Sequence, residues 1–410
     1  MECDVLVVGA GPAGSSAARA CALAGLKTIF VDKRTKLGTP VHCAEGIGQC
    51  FFPFLPFKIP QEQLIWDTAG IEFWAEDIIV RRTGILWKGC TVNRKHFDKW
   101  VAAQATNAGA KLMLNTHLID FEVGHNNTVK KATLNSEGKT IHIEPKVVVG
   151  ADGYDSTTLR LLGEYREHEG TIAEVYSWEM HNVNLASPNF EQVYVGDFTD
   201  TGYAYVFPIS KSKANIGVGC AKPKKPMEDY FREFLEIPEM KHQVKNATKI
   251  ENKGGKVNPQ PIAKKWVYGN VILTGDAADQ NLKPFVEGIL PAIICGDTAG
   301  KTTVEHIKNK KELETYEQNV KKSPIGSFFT QSEETGKLMY QLFDHTDPKK
   351  YLLLLLLIAD LQTPQKIRTL QHQDYNTLRD EILTWNNPIN KTIIKTLEYL
   401  DYKHKQITKK

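Results

Sequence analysis

Apolar residues along this chain fall into two kinds of run. Short continuous runs, at Asp4–Val8, Lys27–Val31, Val147–Val149 and Val271–Leu273, read as strands buried on both faces. Between Thr171 and Cys220 the pattern changes. The segments IAEVYSWEM, EQVYVGDF, GYAYVFPIS and ANIGVGCA alternate apolar with polar positions, as antiparallel strands with one buried face do. Residues Gly70 to Gly89 read as a further pair of strands. From Glu305 onward helical patterns dominate, with Pro324, Pro348, Pro364 and Pro388 as breaks.

The first buried run leads into GAGPAG, Gly9 to Gly14, and then a small-residue helix expected over Ser15–Ala24, which Gly25 stops. The second run ends at Asp32. This is a β-α-β unit with a dinucleotide-binding turn. Gly9 permits the tight turn, Gly11 lets a pyrophosphate approach the backbone, and Gly14 lets helix and strand pack closely. The helix N-terminus offers N–H groups and a partial positive charge to phosphates. Gly9, Gly11, Pro12, Ala13 and Gly14 are therefore the expected phosphate contacts. Asp32, with Lys33 beside it, is placed for the ribose hydroxyls. The unit by itself does not separate FAD from a nicotinamide dinucleotide.

Three later segments make that separation. VNRKHFDKWVAA, from Val92, is a loop entering a helix whose Phe97, Val101 and Ala105 share one face. VVVGADGYDSTTLR, from Val147, ends a strand in an Asp152-Gly153 turn. VILTGDAA, from Val271, ends a strand in Gly275-Asp276, and a helix starts near Gly288. Together these resemble the signatures of the FAD-dependent group that includes aromatic hydroxylases and geranylgeranyl reductases. The resemblance implies that Gly275 and Asp276 hold the ribityl chain, that Arg94 contacts the FAD, and that the helix opening at Gly288 and Ile289 faces the flavin ring. Asp152 is either a further cofactor contact or a cap for its own turn.

Within that group three features are similar to the geranylgeranyl reductases. PVHCAEG, from Pro40, resembles their Pro-x-x-Cys-Gly-Glu-Gly segment, with Ala44 for a glycine. YAYVFP, from Tyr203, resembles their Tyr-x-Trp-x-Phe-Pro strand, and NIGVG, from Asn215, their next strand. KPFVEGILP, from Lys283, departs from their glycine-rich loop by one or two glycines. The resemblance implies a flavoprotein of lipid biosynthesis that reduces isolated carbon–carbon double bonds of polyprenyl chains by hydride transfer from reduced flavin. An isolated alkene has no carbonyl to polarise, so a proton donor must stand close to the second carbon in a dry pocket. Cys43, Glu45, Tyr203 and Tyr205 are the candidates, and Cys43 with Ala44 also lies in the segment expected beside the flavin. Each has a plainer role open to it: a packed thiol, a carboxylate holding backbone N–H groups, core aromatics. His42 is structural or faces a phosphate. The stretch from Cys50 to Phe57 either packs under the inserted domain or forms a lipid entrance.

Two rival functions share parts of this pattern. An aromatic monooxygenase has the same FAD signatures but no need of the Cys-x-Glu-Gly segment. A non-catalytic prenyl-binding carrier needs neither Gly9, Gly11 and Gly14 nor Asp32 and Asp276. The fold class expected is α/β: a discontinuous Rossmann-like FAD-binding domain (1–69, 90–165 and 256–305), an inserted antiparallel-sheet substrate domain (70–89 and 166–255), and a C-terminal helical region (306–410).

The 410 residues suit two or three domains, and a net charge of +3 gives no electrostatic case for nucleic acid as a partner. Seven scattered cysteines without a CxxC indicate neither a zinc site nor a disulfide framework, and no metal is expected. That cysteine usage fits a reducing cytosol, the expected location, and no signal peptide is expected. The longest apolar run, Leu352 to Ala359, falls short of the roughly 20 residues a spanning helix needs. Membrane contact would therefore be peripheral, at the cytoplasmic face, and the basic tail KHKQITKK reads first as a solvated end. The expected partners are a polyprenyl lipid and an electron donor. No second GxGxxG unit is present, so reduced ferredoxin, a deazaflavin and NAD(P)H all remain open as donors.

Overall fold

The computed structural model describes residues 2–75, 78–165, 172–196, 198–259 and 261–343. The apolar run from Leu352, the basic tail and the prolines from Pro348 onward lie outside the described residues. Those residues hold the helices α1 Pro12–Leu23, α2 Arg94–Asn107, α3 Thr157–Leu161, α4 Met227–Glu236, α5 Pro238–Val244, α6 Ile289–Asn309, α7 Thr315–Lys322 and α8 Pro324–Phe343. The chain divides into two compact units. One is Met1–Ile65, Cys90–Ile172 and Lys256–Glu333; the other includes Trp66–Gly89 and Ala173–Gly255.

The first unit is built on a parallel sheet. Across it run Val271–Leu273, Lys139–Gly150, Glu2–Val8, Thr28–Val31 and Lys111–Met113, with Val267–Tyr268 antiparallel at one edge. An antiparallel meander, Thr116–Val123 and Val129–Ser136, leads into the long strand Lys139–Gly150. The β-α-β connection leaves Glu2–Val8 on one side, and Lys139–Gly150 pairs on the other, so the strand order reverses at the first strand. That is where doubly wound sheets bind ligands. The expected fold class holds in this respect: a doubly wound α/β domain interrupted by a second sheet, which is antiparallel but for one pair.

α1 begins at Pro12, three residues before the start expected at Ser15. Proline suits the first helical position, because its missing N–H has no helical partner there. Ser15 and Ser16 are not caps: their hydroxyls donate to Ala10 O (3.1 Å) and Ile293 O (2.7 Å). Small residues let α1 lie directly against α6. A Cβ on Gly296 would stand 2.1 Å from Ala13 O, and one on Gly300 would stand 2.6 Å from Ala17 O. Ala13 thus meets Gly296 and Ala17 meets Gly300, so the two helices run parallel and their N-termini point the same way.

α2 is capped by Asn93, whose side chain accepts from Lys95 N at 2.9 Å. Its buried face is Phe97, Val101 and Ala105, as the sequence periodicity indicates. α6 extends to Asn309, past position 305.

The second unit is a sheet ordered Thr248–Asn252, Ala173–His181, Lys213–Ala221, Gly202–Ser210, Phe190–Val195, Gly70–Ala75 and Ile78–Thr83. Every neighbouring pair in it is antiparallel except Phe190–Val195 with Gly70–Ala75, which runs parallel. One face carries Tyr194, Ala204, Val206, Ile216, Val218 and Cys220, which form a core with Tyr230, Phe231 and Phe234 of α4. The other face carries Val175, Ser177, Tyr203, Tyr205, Gly217 and Gly219 by strand alternation. No helix among the described residues is long and apolar enough to cross a membrane.

Candidate active site

Four strand ends come level in the first unit. Val8 is in register with Val31 on one side and Gly150 on the other, and Gly150 with Leu273. Backbone hydrogen bonds continue the pairing into the turns: Gly9 N to Val31 O (2.8 Å), Ala151 N to Val8 O (2.8 Å) and Thr274 N to Gly150 O (2.9 Å). The glycine turn, the acid after the second strand, the Asp-Gly turn and the Gly-Asp turn are therefore neighbours on one rim. Only the strand pairing makes them so.

Gly9 has φ +101°, and a Cβ there would stand 2.2 Å from Ala151 O. A Cβ on Gly14 would stand 1.8 Å from Gly9 O, so helix and turn are closed on each other. At Gly11 nothing lies within 4 Å of the Cβ position. Open space there, at the N-terminus of α1, is what a pyrophosphate needs to reach backbone N–H groups. The residues present fit a dinucleotide.

Asp32 is not the free acceptor that its position suggests. It is 5% exposed. Its Oδ2 accepts from Ala10 N (2.9 Å) and Arg34 Nη2 (2.7 Å), and its Oδ1 accepts from Arg34 N (2.9 Å) and Nε (2.8 Å). Burial works against the charge, but the Arg34 bonds prevail and hold the carboxyl below its ordinary range. With about four acceptor sites filled, the carboxylate could take a ribose hydroxyl only by giving up part of Arg34. Arg34 was not anticipated; the only signal for it was its place two residues beyond the acid. Lys33 is exposed.

Asp152 caps its own turn. It accepts from Ser156 Oγ (2.7 Å), Thr158 N (2.8 Å) and Thr158 Oγ1 (2.9 Å), which fixes the start of α3. Asp276 is exposed, and its Oδ1 accepts from Asn281 Nδ2 at 3.2 Å. The same oxygen lies 3.4 Å from the Cβ position of Gly288, so Asp276 stands at the mouth of α6. Gly275 is buried against Ala13 of the glycine turn.

The Cys43 segment is tied to α2. Glu45, 2% exposed, has φ +69° and accepts from Arg94 N through Oε1 at 2.7 Å. The Arg94 guanidinium clasps Asp98 with two bonds, Nε to Oδ1 (2.6 Å) and Nη2 to Oδ2 (2.9 Å), and also reaches Cys43 Sγ. Glu45 N donates to the same sulfur at 3.2 Å. Burial pushes the Cys43 thiol up, against the pull of Arg94 and of the Glu45 N–H. Ala44 is partly exposed and His42 is exposed.

The Lys283–Pro291 loop adds two ionisable groups that periodicity could not reveal. Lys283, 5% exposed, donates through Nζ to Asp279 O (2.8 Å) and Asn281 O (3.1 Å). Burial lowers it to about 8 against the attraction of Asp279, Asp276 and Glu333. Glu287 accepts from Gly48 N at 2.9 Å, and crowding by protein raises it to about 7. Ile289, next to the Gly288 cap of α6, is buried, and so is Pro291 in the first turn.

Tyr203 and Tyr205 lie in the second unit, on one face of Gly202–Ser210. Tyr205 is 4% exposed, and its hydroxyl fills the place a Cβ on Gly217 would take, 2.5 Å away. Tyr203 is partly exposed.

Residues 4–154 match the FAD dependent oxidoreductase family, and residues 82–282 match the FAD binding domain family. The digeranylgeranylglycerophospholipid reductase of Methanococcus aeolicus is 36% identical over 77% of this chain and 80% of its own length. That of Methanocaldococcus jannaschii is 34% identical over 78% and 82%. The crystal structure of a geranylgeranyl bacteriochlorophyll reductase-like protein from Thermoplasma acidophilum superposes with a TM-score of 0.77 at 25% identity, covering 87% of this chain and 91% of that one.

Proposed function

Because the chain belongs to the digeranylgeranylglycerophospholipid reductase family and is an FAD-dependent oxidoreductase, we propose that it hydrogenates isolated carbon–carbon double bonds of geranylgeranyl or related polyprenyl chains. The observation that carries the reading is the placement of the Cys43 sulfur, which accepts from the Glu45 N–H at 3.2 Å and is reached by the Arg94 guanidinium, in the segment joined to the start of α2. When bound and reduced, FAD supplies the hydride for one alkene carbon. The chain itself must supply a proton to the other carbon and keep water out.

In this reading Cys43 is the proton donor. A partly buried thiol is a fitting acid for an apolar substrate, because its protonated form carries no charge into the pocket. Glu45 is a positioning residue: its carboxylate joins the Cys43 segment to the start of α2. Tyr203 and Tyr205 receive the prenyl chain and are the donors to examine if Cys43 fails. Gly9, Gly11, Pro12, Ala13 and Gly14 hold the pyrophosphate. Asp32 and Lys33 serve the adenosine end. Gly275 and Asp276 hold the ribityl chain, with Arg94 and Ala44 as further contacts. Gly288 and Ile289 present the N–H donors of α6 to the anionic edge of the reduced ring. Asp152 contributes through the turn it caps. The electrons come from reduced ferredoxin, a deazaflavin or NAD(P)H. The protein works in the cytoplasm, at the membrane face where such lipids are found.

Incubating the dithionite-reduced protein with a geranylgeranyl glycerophospholipid and weighing the product by mass spectrometry tests this. A gain of two hydrogens for each double bond lost is expected. A product that gains oxygen instead, in the presence of air and NADPH, would show a monooxygenase.

A further inference from the structure

We propose that the tip Gly84–Lys88 of the second unit is a membrane-docking element that inserts Ile85 and Leu86 into an anionic lipid surface. The proposal deepens the functional reading, since it gives that reading a route to a bilayer lipid, but it stands on separate observations.

The strands Gly70–Ala75 and Ile78–Thr83 form an antiparallel hairpin at the edge of the sheet, with Gly70 opposite Thr83. Beyond Thr83 the chain turns at Gly84, φ +102°, whose carbonyl accepts from both Trp87 N and Lys88 N at 3.0 Å. This closes a tight tip. Trp87 anchors it: its ring meets Phe73 edge-on at 5.9 Å, and the Arg82 guanidinium lies over it at 5.2 Å. Ile85 and Leu86 are carried outward on that anchor, 77% and 60% exposed. No large apolar side chain described is more exposed than Ile85.

A single exposed aliphatic needs no explanation. Two adjacent ones at the apex of a braced turn are different, because folding gains nothing from them. Their flanks show what covers them. The segment RRTGILWK, Arg81 to Lys88, holds three cations and no acid. Arg81 is partly neutralised by Glu72, and the side chain of Arg81 remains 56% exposed. Aliphatic residues at the apex, a tryptophan at the base and cations around it are the composition of segments that lie at the boundary of headgroups and acyl chains. The cations favour anionic lipids over neutral ones. A protein partner would need a shaped counter-surface for two protruding aliphatics, and the cationic collar is more simply met by lipid phosphate.

Sedimentation of the holoprotein with substrate-free vesicles tests this. Vesicles of equal parts phosphatidylglycerol and phosphatidylcholine should bind it, and phosphatidylcholine alone should bind it weakly. The double variant Ile85→Asp, Leu86→Asp should lose about 100-fold in partitioning, near tenfold for each buried aliphatic. It should keep its flavin and turn over detergent-dispersed lipid at a rate within roughly twofold of the parent. Lys88→Glu should weaken binding about tenfold on the anionic vesicles alone. Unchanged vesicle binding in the double variant overturns the proposal. So does a parent protein that ignores both vesicle types, including the case in which it self-associates through the tip and the double variant does not. Because the vesicles contain no substrate, a failure here is separate from a failure of the proposed reaction.

Discussion

The Oε1 atom of Glu45 accepts a hydrogen bond from the backbone N–H of Arg94 at 2.7 Å. Two sequence signatures, 49 positions apart, are thereby joined at one buried carboxylate. The consequence reaches Cys43, since Glu45 N and the Arg94 side chain both converge on its sulfur.

Replacing Glu45 should therefore act through placement. Glu45→Ala leaves the Arg94 N–H without its acceptor and should cost about 1–3 kcal/mol of stability. Glu45→Gln keeps an acceptor oxygen and should restore most of it. Denaturant unfolding checks the stability, and the rate of alkene reduction should recover in Glu45→Gln if Glu45 only positions.

At the cofactor rim, Asp276→Ala should weaken FAD retention by roughly tenfold to a hundredfold, the loss of about 1.5–3 kcal/mol for a charged acceptor. Asp32→Ala should also lower occupancy. It should cost stability as well, because Ala10 N and Arg34 lose their partner. Flavin released on denaturation, measured per protein, reports the occupancy. Unaltered occupancy in both variants would remove these acids from the FAD site.

The contact of α1 with α6 leaves no room at Gly296. A Cβ 2.1 Å from Ala13 O must push the helices apart, so Gly296→Ala should destabilise by about 1–3 kcal/mol. FAD should also bind more weakly, since Ala13 belongs to the glycine turn. Thermal unfolding with and without added FAD measures both effects.

Glu287 gives the protein a pH-dependent weakness. Its carboxyl is raised from 4.5 to about 7, so the folded state prefers the proton. The stability it contributes is fully present below its unfolded value and is lost as pH rises through about 7. The ceiling is about 3 kcal/mol. Glu287→Gln should flatten the fall in unfolding free energy between pH 4.5 and about 7, followed by denaturant titration.

The β-α-β unit was legible because its information is local: a glycine turn, a run of small residues and an acid, all within the first 32 positions. The inserted sheet was legible from its period of two. The start of α1 was placed at Ser15, after the glycine turn, whereas Pro12 within that turn already occupies the first helical position. Arg34 on Asp32, Lys283 among carbonyls and Glu287 on Gly48 were hidden for another reason. Each depends on which backbone groups the tertiary fold brings near, and no periodicity encodes that. The turn at Asp152 reads as a motif in sequence, yet its carboxylate is spent on Ser156 and Thr158.

The central claim is that reduced flavin in this chain gives up its electrons to a prenyl alkene, with Cys43 supplying the proton. Anaerobic single-turnover mixing, followed by flavin absorbance, tests it most directly. Pre-reduced protein should be reoxidised by a geranylgeranyl lipid and not by its fully saturated counterpart. Cys43→Ala should keep FAD and accept dithionite electrons, but should react about 10²-fold more slowly, as for loss of a general acid. Reoxidation at the same rate with the saturated lipid, or none with the unsaturated one, would contradict the reaction. An unchanged rate in Cys43→Ala would move the proton to Tyr203 or Tyr205.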